Sequence, residues 1–308
     1  MEINHTESGG FFIHLGRNEI NDKPLQMARC LKEDEPSPTA QNKIVMESGS
    51  RLQIIDTEDS ANLKSDKILS NTEIVIEENA HLEIYKIQNL NDKTLSDGAF
   101  SINQNADSFF KMVVISFNGG DIRNNINVDI NGKGADTNVF GLYLMDKKQR
   151  IDNKLKVNHF VPECTSNTKF KGILDNESKG SFSGHIYVAP DAQKTNAYQN
   201  NSNIILTNEA KIDTRPFLEI YADDVKCSHG TSTGQLDKDA MFYMRQRGIS
   251  FENARMLLMY AFAAEISNHI DVEQLRERID DMIKRRLKGE LSSCDKCVLQ
   301  CYKPKEYV

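Results

Sequence analysis

The sequence lacks the features of exported and membrane-spanning proteins. No stretch of its 308 residues reaches the roughly 20 apolar residues that a membrane helix requires. Residues 1–7 have neither the basic start nor the apolar centre of a signal peptide. The six cysteines, three of them within the last fifteen residues, do not resemble a secreted disulfide framework. We therefore expect a cytoplasmic protein with no membrane partner, whose thiols are reduced or bind metal.

Signatures of several functions are also missing. The net charge is −7 and the basic residues are interleaved with acidic ones, so there is no basic stripe that would bind a nucleic acid. No Gly-x-x-x-x-Gly-Lys-Ser/Thr loop is present, and we expect that this chain binds no ATP by itself. The hydrolase motif Gly-x-Ser-x-Gly and the metalloprotease motif His-Glu-x-x-His are absent. The adjacent acids Asp223 and Asp224 would face opposite sides of a strand, which argues against an acid/base pair.

Residues 44–235 consist of short segments in which apolar and polar residues alternate. Glu73–Ile76 and Lys111–Phe117 show the two-residue period of strands. Corners rich in Asn, Asp and Gly separate the segments and recur about every 26 to 29 residues. This rhythm favours stacked units that leave an exposed strand edge at the end of the stack, where a partner strand can add. An ordinary β-sandwich with irregular spacing remains the alternative.

The two ends of the chain differ from this core. Residues 1–43 appear irregular in the sequence, apart from one apolar run at Phe11–Leu15. Residues 236–289 show helical patterns, and residues 290–308 form a tail that contains cysteine. We therefore expect four segments, with boundaries near residues 43, 235 and 289.

Three helices are predicted between residues 236 and 289. Asp237 and Ser250 are suitable N-caps for the first two. The second helix has an apolar centre at Met256–Ala264, so it must be covered on all sides by this chain or by another. Asp271, with Gln274 three residues later, predicts a capping box for the third helix. The basic run Lys284–Lys288 suits the last turn of that helix, and we expect it to be solvated.

Cys227 and His229 stand two residues apart on the last predicted strand. They would point to the same side, about 7 Å apart along the strand. The residues leave two interpretations open: a buried structural cysteine beside a polar histidine, or two ligands of a metal or sulfur site. Two ligands do not complete a site, so the second interpretation requires further ligands from elsewhere.

The remaining cysteines form one cluster and two isolated residues. Cys294, Cys297 and Cys301 fall within eight residues and could converge on one ion or cluster, although a tetrahedral thiolate site needs a fourth ligand. An incidental group of thiols is the alternative. Cys30 and Cys164 have no partner at metal-ligand spacing, and we predict that both are structural.

Residues 215–231 and 242–249 resemble the SufD family of iron–sulfur cluster assembly proteins. The related SufB proteins carry a Glu-His-Glu-Ala type of sequence where this chain has Lys226–Gly230, so the resemblance favours SufD. The resemblance implies a mainly β fold, with a right-handed parallel β-helix core followed by a C-terminal α-helical domain. Members usually begin with a helical domain, and we do not expect one in residues 1–43 of this sequence.

The resemblance also implies partners and site residues. SufD-like proteins are non-catalytic scaffolds that pair with a SufB-like subunit through the β-helix end and bind a SufC-like ABC ATPase through the C-terminal helices. Cys227 and His229 would hold a nascent iron–sulfur cluster or its iron, which is transient and shared with the SufB-like subunit. The ATPase surface would lie on the helices between Asp237 and His269. Its candidate residues are Asp237, Arg245, Phe251, Arg255, Leu258, Met259 and Phe262.

Two other functions are possible. The chain could be a metal-binding protein organised by the C-terminal cysteines. It could also be a β-helix protein that acts on polysaccharide, but such proteins are generally secreted and carry a ladder of acids along one groove. Neither an export signal nor such a ladder is present in this sequence.

Overall fold

The structure is a computed structural model that describes residues 1–5, 10–31, 39–60 and 67–289. Its strands are β1 (Glu2–His5), β2 (Phe11–Leu15), β3 (Leu25–Leu31), β4 (Thr39–Met46), β5 (Arg51–Ser60), β6 (Lys67–Ile76), β7 (His81–Asn89), β8 (Leu95–Gln104), β9 (Phe109–Asn118), β10 (Asp121–Ile130), β11 (Asp136–Met145), β12 (Arg150–His159), β13 (Thr165–Leu174), β14 (Lys179–Val188), β15 (Asn196–Ile205), β16 (Lys211–Ile220) and β17 (Lys226–Gly234). Its helices are α1 (Lys238–Gln246), α2 (Phe251–Ser267) and α3 (Glu273–Leu287).

The strands form a parallel β-solenoid of about seven turns. Even-numbered strands from β2 to β16 make one sheet, to which β1 adds antiparallel, and odd-numbered strands from β3 to β17 make the other. Consecutive strands thus belong to different sheets, and each turn of the chain adds one strand to each sheet. The mainly β fold with a β-helix core and C-terminal helices is confirmed, and the sandwich alternative is wrong.

Inward and outward side chains alternate along each strand. Because the strands are in register, the inward side chains of successive turns stack in columns inside the solenoid. The inward residues Ile54, Ile84, Met112 and Val139 lie in register on successive turns, and all four are buried. Burial of each such side chain is worth about 1.5 to 3 kcal/mol. The stacked apolar columns therefore hold the turns together.

The Asn- and Asp-rich corners have a backbone reason. Asn79, Asp107 and Asn176 adopt positive φ values of 57°, 52° and 52° at turns between strands. Asn and Asp tolerate this left-handed conformation better than other side chains with a Cβ. The corner rhythm in the sequence therefore marks the places where the chain passes from one sheet to the other.

The solenoid begins earlier than predicted. The described part of residues 1–43 contains β1, β2 and β3 and the start of β4, and β2 and β3 pair in parallel with β4 and β5. The described part of the segment that was predicted to be irregular or β thus consists mainly of strands. Its short strands carried too few alternations to be recognised.

Four charged side chains are buried in the N-terminal turns of the solenoid. Lys86 Nζ lies 2.6 Å from Glu58 Oε1 and 3.3 Å from Asp56 Oδ2, and Arg29 also pairs with Asp56. Burial alone would raise the pKa of Glu58, but the charges of Lys86 and Arg29 hold it well below its usual value. The two cations and two carboxylates thus balance one another in a space without solvent.

The three helices pack as a unit on the outer face of the odd-numbered sheet. Met259 and Ile266 of α2 and Ile279 of α3 join an apolar cluster with the outward residues Ile115 and Phe140 of the solenoid. This contact covers one side of the apolar circumference predicted for the second helix, and Leu257 and Ala261 on another side stay exposed. None of the described helices is long and apolar enough to cross a membrane.

The helix termini confirm two predicted caps and correct one. The side chains of Asp237 and Ser250 accept backbone N–H groups at the starts of α1 and α2. The N-cap of α3 is Val272, and no side chain caps it. Asp271 instead forms an ion pair with Lys111, and its backbone N–H donates to the Tyr85 hydroxyl at 3.1 Å. The capping box was the wrong interpretation because Asp271 connects the helices to the solenoid.

The basic end of α3 is also different from the prediction. Arg286 is buried against the solenoid, where its Nε donates to the Phe117 carbonyl at 2.8 Å and its Nη1 to Asp146 at 2.7 Å. The last turn of α3 is therefore partly docked on the solenoid, and Arg286 is not solvated. Arg286 anchors α3 by pairing its charge and by satisfying a strand carbonyl.

The buried ion network generates a stability prediction. Replacement of Lys86 by methionine leaves an uncompensated carboxylate in the interior, and we expect a loss of about 3 to 5 kcal/mol in the free energy of unfolding. Urea denaturation measures it. Lys154, whose side chain is 61% exposed beside Asp152, is the matched control: Lys154→Met should cost less than about 1 kcal/mol. Equal costs for the two variants would contradict the balance of buried charges.

Candidate functional site at the open end of the solenoid

The last turn of the solenoid leaves two strand edges unpaired. β16 pairs only with β14 and β17 only with β15, and within the described ranges no further strand covers them. Burial falls accordingly, because every residue of both strands is exposed or half-buried. The predicted open end therefore exists at the C-terminal end of the stack.

Cys227 and His229 lie on this open end and face the same way. In the parallel ladder Cys227 stands opposite Ala197 and His229 opposite Gln199. Ala197 and Gln199 are buried inward residues, so the side chains of Cys227 and His229 continue the interior of the solenoid. Cys227 is half-buried and His229 is exposed.

The Cys227 thiol has an apolar environment. It packs against a cluster that includes Ala197, Val188 and Leu218. Burial raises the pKa of Cys227, while a backbone hydrogen bond at Ala197 acts in the opposite direction. The apolar environment therefore disfavours the thiolate, and a bound metal ion or another positive charge would favour it.

Next to the apolar residues that surround Cys227, the interior below the last turn of the solenoid is polar. Asn201 accepts from the Thr214 hydroxyl at 2.8 Å and from Asn203 Nδ2 at 2.8 Å, and its own Nδ2 donates to the Tyr143 hydroxyl at 3.3 Å. Gln199 lies next to Asn201 in the same inward row and is also buried. The floor of the open end thus presents hydrogen-bonding groups.

The donor set is suitable for iron but incomplete. A thiolate and an imidazole are both ligands of iron, and thiolates hold iron–sulfur clusters. Among the residues that the structure describes, no group of three or more His, Cys, Asp and Glu side chains could hold a metal ion. The described residues thus offer two possible donors at this point, and a complete coordination sphere would need others.

The other cysteines stand apart from this site. Cys164 is buried, and its thiol lies 3.4 Å from the carbonyls of Gly132 and Pro162, which fits a structural role. Cys30 is half-buried on β3, at the opposite end of the sheet order from β17. Cys294, Cys297 and Cys301 lie outside the described residues.

A second surface of interest lies on the helices. α1 buries no residue, and Phe242 and Tyr243 are 64% and 59% exposed. Phe251 and Leu257 of α2 are also exposed apolar side chains. We call these four residues the α1–α2 apolar face. Phe242, Tyr243 and Leu257 were not among the predicted residues. The adjacent aromatic residues of α1, in a short helix without an apolar stripe, were a signal in the sequence that could have indicated an exposed contact surface.

The seven predicted residues of the helical surface separate into two groups. Asp237, Arg245 and Phe251 are exposed, and Arg255 and Leu258 are half-buried. Met259 is buried against the solenoid, and the Phe262 ring lies 4.2 Å from Lys171 Nζ on the docked side of α2. Met259 and Phe262 therefore attach the helix to this chain and are not available to another protein.

Comparison with known proteins identifies relatives of this fold and site. Residues 30–262 match the family model described as SUF system FeS cluster assembly, SufBD core domain. The iron–sulfur cluster assembly protein SufD of Escherichia coli is 32% identical over 213 residues, which are 68% of this chain and 50% of that protein. A SufBD family protein of Mycobacterium leprae is 33% identical over 225 residues, covering 70% of this chain and 57% of its own length.

A SufBD family protein of Synechocystis is 32% identical over 217 residues, which are 70% of this chain and 48% of that protein. The chain thus spans about half the length of the curated relatives it matches. The matched region contains most of the solenoid, the Cys227/His229 pair, α1 and most of α2. Since the family model covers well over half of its residues, the chain belongs to the SufBD core family of the SUF iron–sulfur cluster assembly system.

Proposed function

We propose that this chain is a non-catalytic, SufD-like scaffold subunit of a cytoplasmic iron–sulfur cluster assembly complex. It pairs with a SufB-like subunit at the open end of the solenoid and binds a SufC-like ABC ATPase through its helices. A nascent cluster or its iron is the cargo, held between the two solenoid subunits. The observation that carries the proposal is the position of Cys227 and His229, two iron ligands side by side on an unpaired terminal strand.

The open end has the properties of a protein interface. Its strand edges present unpaired backbone groups, which a strand from another chain can satisfy. Phe217 and Tyr221, at and just beyond the end of β16, are 58% and 56% exposed, and Ile220 is exposed as well. Exposed apolar residues concentrated beside unpaired edges favour a protein partner.

The incomplete donor set explains why a partner is needed for cluster assembly. Iron in such clusters is tetrahedral, so two ligands from this chain leave coordination positions for sulfide and for the SufB-like subunit. Iron binding displaces the proton of the Cys227 thiol and requires a neutral His229. The apolar surroundings of the thiol disfavour a thiolate without a bound cation. The subunit without a partner therefore carries no reactive thiolate, and the thiolate forms together with iron binding.

The α1–α2 apolar face supports the second interaction. None of the nine residues of α1 is buried. Two of them are exposed aromatic residues, which is an unusual surface for a protein without a partner. Aromatic residues are enriched where protein interfaces are anchored. We therefore assign Phe242 and Tyr243, with Phe251 and Leu257, to the ATPase contact.

Co-expression tests the assembly. With SufB-like and SufC-like subunits, this chain is expected to be recovered in a stable ternary complex, because each proposed surface has its own partner. Affinity purification followed by size-exclusion chromatography measures the composition. Recovery of this chain alone would contradict the scaffold function.

Substitution at the open end tests the cargo site. Cys227→Ala and His229→Ala are each expected to lower the iron and sulfide content of the purified complex at least several-fold and to leave its subunit composition unchanged, since both side chains lie on an exposed strand. Ser228→Ala, on the opposite face of the same strand, is the control and should retain full content. If the complex fell apart in the two variants, the residues would be packing residues.

Substitution on the helix tests the ATPase surface. The double variant Phe242→Ser with Tyr243→Ser is expected to lose the SufC-like subunit and to keep the SufB-like one, as seen by the same purification. Because α1 buries no side chain, the free energy of unfolding should change by no more than about 0.5 kcal/mol for each substitution. Phe217→Ser at the open end is the matched control and should retain the ATPase. Retention of the ATPase by the double variant would exclude this face.

A further inference from the structure

Gln199 lies directly below His229 in the interior of the solenoid. The two residues are opposite each other in the parallel ladder of β15 and β17, where neighbouring strands are about 4.8 Å apart. Both side chains belong to the inward row. Gln199 is only 3% exposed, whereas His229 stands on the open end.

The Gln199 side chain crosses the interior and is held against the opposite sheet. Its Nε2 donates to the carbonyl of Gly184 at 3.3 Å. A Cβ atom at Gly184 would lie 2.4 Å from Gln199 Oε1 and 2.5 Å from Nε2, so only glycine leaves room for the amide. The contact with a carbonyl, which can only accept, also fixes which end of the amide is the nitrogen.

The other end of this amide is an acceptor without a donor. Gln199 Oε1 is buried and has no hydrogen-bond partner among the described residues. A buried polar atom of this kind is costly, about 1 to 3 kcal/mol, and native structures usually pair it. Gln199 Oε1 can therefore accept a hydrogen bond from a donor that approaches from the open end.

His229 is the residue of the last strand that stands opposite Gln199, and its ring carries an N–H donor. Pro216, which lies opposite Gly184 on the last turn, has no backbone N–H. The neighbouring Asn201 already uses its Nδ2 on Tyr143 and the carbonyl of Phe170. His229 is exposed and forms no hydrogen bond with the described residues, so its ring is free to rotate towards the floor.

We propose that Gln199 is a positioning residue, whose Oε1 accepts one ring N–H of His229. This bond selects the tautomer in which the other ring nitrogen presents its lone pair towards the open end. Ligand histidines commonly have their second nitrogen fixed in this way by a carbonyl or carboxylate. The use of the free nitrogen for iron rests on the proposed function, whereas the bond itself does not.

The tautomer of His229 provides a direct test on the full chain. With ring-labelled histidine and assignment by His229→Gln, nitrogen NMR measures the ratio of the two neutral tautomers. Gln199→Met keeps the length and volume of the side chain but removes the acceptor, and we expect the ratio to change about fivefold, as for loss of one ordinary hydrogen bond. Gln104→Met, another buried glutamine of the interior, should leave the ratio unchanged. An unchanged ratio in folded Gln199→Met would overturn the proposal.

A reciprocal measurement covers the case in which Gln199→Met does not fold. The side-chain carbonyl resonance of Gln199 is compared between the unsubstituted chain and His229→Ala, which changes only an exposed residue. A clear shift supports the bond, and identical resonances overturn it. Cluster content of the complex separates the two proposals: an altered tautomer with normal cluster content supports the bond and contradicts the ligand role of His229.

Discussion

In-register stacking of parallel strands is the constraint on which the rest of this structure depends. A turn of a solenoid has inward side chains that it cannot bury by itself, so each turn relies on the next one for the upper surface of its core. Columns such as Ile54, Ile84, Met112 and Val139 meet this requirement in the middle of the molecule. At β16 and β17 the requirement is not met, because no described strand follows them.

The interior below the open end is polar. The inward row of β15 contains Gln199, Asn201 and Asn203, and the last turn adds Thr214 and His229 above them. Polar side chains at an end can use a partner chain or water, while an apolar end would expose its column directly to solvent. Cys227 is on the apolar side of this floor and His229 on the polar side. The Cys227 thiol is thus shielded from solvent on one side, and the bond proposed for Gln199 would orient the imidazole.

Sequence patterns predicted the parts of the fold that depend on local regularity. The two-residue alternation marked the strands, Asn and Asp marked the corners, and Asp237 and Ser250 marked two helix starts. Asp271 and Arg286 were misinterpreted because their partners, Lys111 and Phe117, are 160 and 169 residues away in the chain. Local propensity favours a cap or a solvated turn at such residues, and only tertiary contacts decide otherwise.

The site was predictable to a similar extent. Cys227 and His229 could be proposed because their spacing on a strand is a local property, and their role stays a prediction. Gln199 was not found, since Asn196–Ile205 reads as a polar strand and nothing local shows that its amides face the interior. The aromatic residues of α1 were missed because their exposure depends on the absence of packing against the solenoid. Interior polarity and unpartnered surfaces are properties of the assembled turns.

The contacts that dock the helices on the solenoid determine whether a displacement of the helical surface also displaces the open end. α2 and α3 are bound to the solenoid by apolar contacts, by the Lys171–Glu265 and Lys111–Asp271 pairs, and by Arg286. These contacts are spread over several turns, so a displacement of α2 or α3 relative to the strands would break many of them at once. α1 has no such attachment, because it buries no side chain. A force applied through α2 or α3 would therefore move these helices and the solenoid together, whereas a force on α1 would be transmitted through its contact with α2.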